Sequence, residues 1–264
     1  MKTALLILIP ALVAPLAGHA EEPFLPHGME RAEVLDGWQT PSGARIAALR
    51  IALDKGWKTY WRSPGDAGIP PQFNFAESEN VAGIEVRWPR PVVFDQNGMR
   101  SVGYADEVIL PIEITPQDPT QPVSLSAEME FGICHDVCVP VSVEVSADLE
   151  GPGAPDPVIS AALTDQPRPV ALEARCDVEK IADGVRVTAS IEMPEVAAEP
   201  VTLFELRSTP MWVSESVTRL EGATMVSMAE FVPDNAQPFD LDAGDLRITV
   251  LSGADAVEIN GCVE

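Results

Sequence analysis

Apolar and polar residues alternate along most of this chain, and that period of two constrains the fold more than any other feature. Ala47, Leu49, Ile51 and Leu53 fall on one side of an extended segment, as do Ile84, Val86 and Trp88. Val108, Leu110, Ile112 and Ile114 repeat the pattern, followed by Val123, Leu125, Ala127 and Met129. Val139, Val141, Val143 and Val145 show it most cleanly. A strand sends successive side chains to opposite faces, so each set predicts a strand with one face in a core. Proline and glycine clusters punctuate the sets as turns. No run of helical period exceeds about two turns. Many short strands at this spacing predict a sandwich.

The clearest break is Glu150–Pro157, where three prolines and two glycines rule out a sheet interior. A short helix is expected from Val158 to Leu163. The strand rhythm then restarts at Val185, Val187, Ala189 and Ile191, at Val201 and Leu203, at Leu246, Ile248 and Val250, and at Val257 and Ile259. The chain therefore reads as all-β, with two β-sandwich domains in tandem over residues 21–152 and 153–264.

Residues 1–20 have the form of an export signal. Lys2 precedes an apolar stretch from Ala4 to Leu16, and Gly18-His19-Ala20 supplies the small residues of a cleavage site. No other stretch approaches the roughly 18 apolar residues a membrane span needs, so no direct membrane span is expected. The 17 Lys and Arg against 41 Asp and Glu give a net charge of -24. Nucleic-acid binding requires a basic footprint and is excluded on that ground. The acidity serves solubility and can steer a basic partner.

An exported chain can keep disulfides, and the four cysteines fall into two kinds. Cys176 and Cys262 stand far apart and read as a structural disulfide spanning the second domain. Cys134 and Cys138 lie in Phe-Gly-Ile-Cys-His-Asp-Val-Cys-Val-Pro. Their Cα atoms must come within about 7 Å to bond, so the segment must bend. The expected geometry is a hairpin with strands 123–130 and 139–147 and a turn through His135, Asp136 and Val137. A bond across so short a loop removes little entropy from the unfolded chain, which favours reversible redox chemistry over stapling. Glu128, Glu130 and Asp136 surround the pair in sequence and His135 is the one nearby cation, a setting that disfavours the thiolate. Two other readings stay open. Cys134, His135 and Cys138 could hold copper(I), with Met99 or Met129 joining them, or the sandwiches could dock partners without redox turnover.

The segment Gly56-Trp-Lys-Thr-Tyr-Trp-Arg-Ser-Pro-Gly-Asp-Ala-Gly-Ile-Pro70 is aromatic and turn-rich. Val86-Arg-Trp-Pro89, Gly103-Tyr-Ala-Asp-Glu-Val-Ile-Leu-Pro111 and Cys-x3-Cys-Val-Pro follow it. In combination these resemble the periplasmic N-terminal domain of the thiol:disulfide interchange protein DsbD family, in its ScsB-like variant linked to copper tolerance. The resemblance covers residues 30–150 strongly and the second domain more loosely. It implies an immunoglobulin-like sandwich carrying one redox cysteine pair and a periplasmic location; no cofactor and no bound metal are expected. It also implies a protein-disulfide reductase component that relays electrons. The donors would be thioredoxin-like and membrane-embedded proteins, and the clients periplasmic disulfide isomerases or reductases. By position it makes Cys138 the cysteine of the mixed disulfide and Cys134 the resolving one. Tyr60 would line the cysteine site, and Phe94, within Phe94–Met99, would be the lid. Two departures stand out. The spacing here is Cys-x3-Cys, where the best-known DsbD domains place five residues, and no thioredoxin-type Cys-x-x-Cys follows. A separate membrane protein would then have to supply the electrons.

Overall fold

Each alternating segment becomes a strand. The first half of the chain gives β1 (Met29–Gln39), β2 (Arg45–Leu53), β3 (Lys58–Tyr60), β4 (Gln72–Asn74), β5 (Val81–Val86), β6 (Val92–Gln96), β7 (Met99–Ala105), β8 (Glu107–Pro116), β9 (Val123–Cys134), β10 (Cys138–Leu149) and the helix α1 (Pro157–Thr164). The second half gives β11 (Arg168–Pro169), β12 (Ala174–Lys180), β13 (Val185–Glu192), β14 (Val201–Leu206), β15 (Trp212–Val213), β16 (Val217–Glu221), β17 (Thr224–Val232), β18 (Leu246–Ser252) and β19 (Asp255–Asn260). The computed structural model describes residues 25–263 except 66–67, 97, 194–195 and 197–198. The expected export signal, residues 1–20, lies outside the described residues.

The strands assemble into two tandem β-sandwiches. In the first, a sheet ordered β1-β2-β8-β5 faces a sheet ordered β10-β9-β3-β7-β6, with β4 added to β9. Ala47, Leu49 and Ile51 of β2, Leu110, Ile112 and Ile114 of β8, and Leu125, Ala127 and Met129 of β9 form the buried layer between them. Burial of each large aliphatic side chain is worth about 1.5–3 kcal/mol, so this layer is the main source of stability. The second sandwich pairs β11-β19-β18-β14 with β12-β13-β17-β15, and β16 also pairs with β17. Its core holds Val185, Val187, Ala189, Ile191, Phe204, Phe231, Ile248, Val250 and Ile259.

The Cys176–Cys262 disulfide joins β12 to the segment after β19, with Cα atoms 5.6 Å apart. Backbone bonds between Cys176 and Val263 (3.0 Å) and between Val263 and Ala174 (2.9 Å) run beside it.

The proline-rich break is not a free tether. The backbone N–H of Gln39 donates to the Pro152 carbonyl (2.8 Å). The buried Arg45 guanidinium donates to the carbonyls of Gly151 (2.8 Å) and Glu150 (3.1 Å). Asp156 then caps α1, accepting from the N–H groups of Val158 and Ile159, and Pro157 opens the helix where no N–H is needed. Ile159 is fully buried against Ile46 and Ala48. The helix predicted over Val158–Leu163 therefore forms, and it packs on the first sandwich.

One sheet of the second sandwich is covered on both faces. Phe204, Ile248, Val250 and Ile259 turn inward to their own core. Leu203, Leu251 and Ala256, on the opposite face, join the buried cluster of the first sandwich that includes Trp61 and Val102. The two sandwiches thus share apolar contact.

Candidate functional site

The β9–β10 hairpin is in register from Leu149 opposite Val123 to Cys138 opposite Cys134. Pairing runs further than the sequence suggests and ends on the two cysteines themselves. Residues 135–137 turn the chain, and the cysteine Cα atoms stand 4.2 Å apart, joined by a disulfide.

β3 lies beside β9, with Lys58 opposite Cys134 and Thr59 opposite Ile133. Cross-strand partners share a face. Lys58, Tyr60, Gly132, Cys134 and Cys138 are therefore on the outer face of the sheet, while Thr59 and Ile133 point into the core. Glu128 and Glu130 share that outer face and are exposed. Gly132 and Cys134 are on the same face and yet buried. What covers them is Tyr60 and the loop that follows it. A Cβ on Gly132 would stand 3.0 Å from the Tyr60 ring and 2.8 Å from Ile69 Cβ, so the missing side chain is what lets the ring lie across the strand. From above, a Cβ on Gly68 would come within 2.9 Å of the same ring. Tyr60 is only 2% exposed, and its phenol oxygen is 2.7 Å from Cys134 Sγ and 3.0 Å from Cys138 Sγ. A disulfide carries no S–H, so the phenol is the donor.

The two sulfurs are unequal. Cys134 is 1% exposed, whereas Cys138 and the turn before it are exposed, Val137 by 71%. Of the two, Cys138 is therefore the sulfur on the accessible side of the bond. Burial pushes the Tyr60 phenol above the ordinary tyrosine value, so it stays protonated and able to donate. Burial also lowers the Lys58 ammonium, and its Nζ lies 3.4 Å from Ser101 Oγ. Lys58 sits 76 positions from Cys134 but opposite it in the sheet, and its ammonium reaches the other way, toward Ser101 and Phe94.

His135, the cation expected from sequence, is held to Asp136 (Nδ1–Oδ2 3.0 Å) and tilts against Trp57, ring centroids 5.9 Å apart. Trp57 in turn meets His27 edge-on at 5.5 Å. Trp57 precedes β3 and is half-buried, whereas Trp61 is fully buried, so only Trp61 fills the core outright. Phe94, expected as a lid, lies on β6 under the Lys58 ammonium, 4.9 Å from ring centroid to Nζ. It reaches the site through Lys58, while the segment resting on Tyr60 is the loop that carries Gly68 and Ile69. Among the described residues no group of three or more His, Cys, Asp or Glu side chains is arranged to hold a metal ion. No helix among them is long and apolar enough to cross a membrane.

The first sandwich carries a disulfide at a hairpin end, one sulfur outward and the other under a phenol, and this geometry fits a thiol–disulfide interchange module. Residues 31–150 match the family model described as thiol:disulfide interchange protein DsbD, N-terminal. The crystal structure of the N-terminal periplasmic domain of ScsB from Proteus mirabilis matches at a TM-score of 0.63 and 22% identity, covering 88% of this chain and 90% of that one. The shared fold thus extends across both sandwiches. A marsupial T cell receptor structure aligns at 12% identity over 90% of this chain and 97% of that one, but its TM-score of 0.18 carries no argument. No curated protein matches the chain.

Proposed function

We propose that this protein is a periplasmic relay that takes two electrons from a thioredoxin-like donor, itself supplied through a membrane-embedded protein, and passes them to periplasmic isomerase or reductase clients. The observation that carries this reading is the inequality of the sulfurs under Tyr60. In the reductive half, a donor thiolate attacks Cys138 Sγ, a mixed disulfide forms, and Cys134 leaves as a thiolate that then takes a proton. The donor's second thiolate attacks its own bridged sulfur, releasing reduced Cys138 and an oxidised donor. In the second half, the Cys138 thiolate attacks a client disulfide. Cys134 then resolves the mixed disulfide, restoring Cys134–Cys138 and freeing the client as a dithiol. Leaving-group stability governs such exchange. Tyr60 supports it by donating to Cys134. Phe94 acts as a packing support for Lys58, and Cys176–Cys262 has a structural role.

Mixed-disulfide trapping tests the proposal. A Cys134→Ser variant should hold a thioredoxin-like protein through Cys138, releasable by reductant, and a Cys138→Ser variant should not. Equal trapping by both variants, or by neither, would overturn the assignment.

A further inference from the structure

We propose that Arg62, Glu205 and Glu258 form a positioning unit through which the second sandwich fixes Tyr60 on the Cys134–Cys138 disulfide. This rests on the relay reading above and assigns the second sandwich a part in the exchange step. Tyr60, Trp61 and Arg62 are consecutive. Tyr60 touches both sulfurs, Trp61 is fully buried, and the Arg62 guanidinium lies over the Trp61 ring at 4.0 Å. Arg62 is then gripped from the second sandwich. Its Nε donates to both Glu205 oxygens (3.0 Å), and its Nη2 donates to Glu258 (2.7 Å). Arg247 binds the same Glu205 at 3.2 Å.

These side chains are 12%, 11% and 16% exposed for Arg62, Glu205 and Glu258. Removing one partner of a pair this covered leaves an uncompensated charge, so the geometry is held firmly. The loop that lies over Tyr60 starts at this point. Trp61 N–H donates to Val102 O and Val102 N–H donates to Pro64 O, both at 3.0 Å, which fixes the loop's first turn. Ser63 and Gly65 then line a narrow crevice whose far wall is Val213, Ser214 and Glu215 of the second sandwich. Arg100 spans that crevice to Glu215 at 3.2 Å. The phenol can stabilise a leaving Cys134 thiolate only while its ring stays between Gly132 and Gly68. Arg62 fixes the chain two residues downstream of that ring.

The test is a double-mutant cycle on the rate at which a reduced thioredoxin opens Cys134–Cys138, read by alkylation and intact mass. Glu205→Gln/Glu258→Gln removes both charges at constant volume and should slow opening by about 2- to 30-fold, the range of coupling expected for such a network. In a Tyr60→Phe background the same substitutions should change the rate by less than about twofold, because the donor they position is gone. In the reduced protein the pH profile of Cys134 alkylation should move to higher pH in both Tyr60→Phe and Glu205→Gln/Glu258→Gln, a readout that loss of mere stability does not move. Should the double variant not fold, Glu258→Gln alone keeps the Arg62–Glu205 pair and is read the same way.

A wild-type rate in Glu205→Gln/Glu258→Gln beside a slow Tyr60→Phe overturns the positioning unit and leaves the relay intact. Undiminished slowing in the Tyr60→Phe background overturns it too. A wild-type disulfide that no thioredoxin opens removes the relay reading itself.

Discussion

At the scale of single residues, the site depends on a phenol and on the absence of a side chain beneath it. Tyr60→Phe keeps the ring and deletes the donor. Hydrogen bonds to charged groups are worth about 1.5–3 kcal/mol, so opening of Cys134–Cys138 by a thioredoxin should slow about 10- to 100-fold. Stopped exchange with mass detection measures this, and an unchanged rate contradicts the role given to Tyr60. Gly132→Ala drives a methyl group to within 3.0 Å of the Tyr60 ring. Overpacking of this kind costs about 1–3 kcal/mol, and a denaturant titration should show it together with a slower exchange rate. Tyr104 offers a pH test. Burial pushes its phenol well above the ordinary tyrosine value of about 10, and its hydroxyl donates to Pro89 O at 2.8 Å. A raised folded value means the folded state holds the proton longer than the unfolded chain. Tyr104's contribution is therefore complete below pH 10 and is lost as pH climbs through the folded value. Wild type should lose stability above pH 10 faster than Tyr104→Phe, as unfolding curves taken on either side of that pH will show. Much of this scale was legible in the chain: the cysteine spacing points to the hairpin, and the family resemblance points to Tyr60. Gly132 was not, because its role arises from a ring lying across the sheet, which local pattern does not encode.

At the scale of elements, the two disulfides sit in different mechanical settings. Cys134–Cys138 closes a three-residue turn, whereas Cys176–Cys262 spans 86 positions. Mild reductant followed by alkylation and mass spectrometry should label Cys134 and Cys138 well before Cys176 and Cys262, and simultaneous labelling would count against the division of labour. The chain-entropy relation gives the long loop about 3–5 kcal/mol, so a Cys176→Ser/Cys262→Ser variant should show a clearly lower unfolding midpoint while still exchanging through Cys134–Cys138. The long strands were legible from alternation alone, from β2 and β8 to the hairpin itself. The short ones were not: β3 and β4 have three residues each, too few for a period to register, and β3 carries the site. Val201 and Leu203 were read correctly as sharing a face. That face belongs to the contact between sandwiches, because their sheet is buried on both sides and one-dimensional pattern does not say which partner covers which side.

At the scale of the molecule, the shared cluster couples the stability of the two sandwiches. Leu203→Asp would place an unpaired carboxylate among Leu251, Ala256 and the first core, at a cost of several kcal/mol. Wild type should unfold in one calorimetric transition, and the variant should resolve into two as the sandwiches part. A wild-type scan with two separate peaks would show that the contact carries little energy. The hairpin described above has a further consequence. Its ladder holds twelve pairs, from Cys138–Cys134 to Leu149–Val123, and eleven of them lie behind the cysteine pair. In the relay proposed above, these backbone pairs would hold the scaffold while the sulfur bond opens and closes, so donor and client would meet the same face.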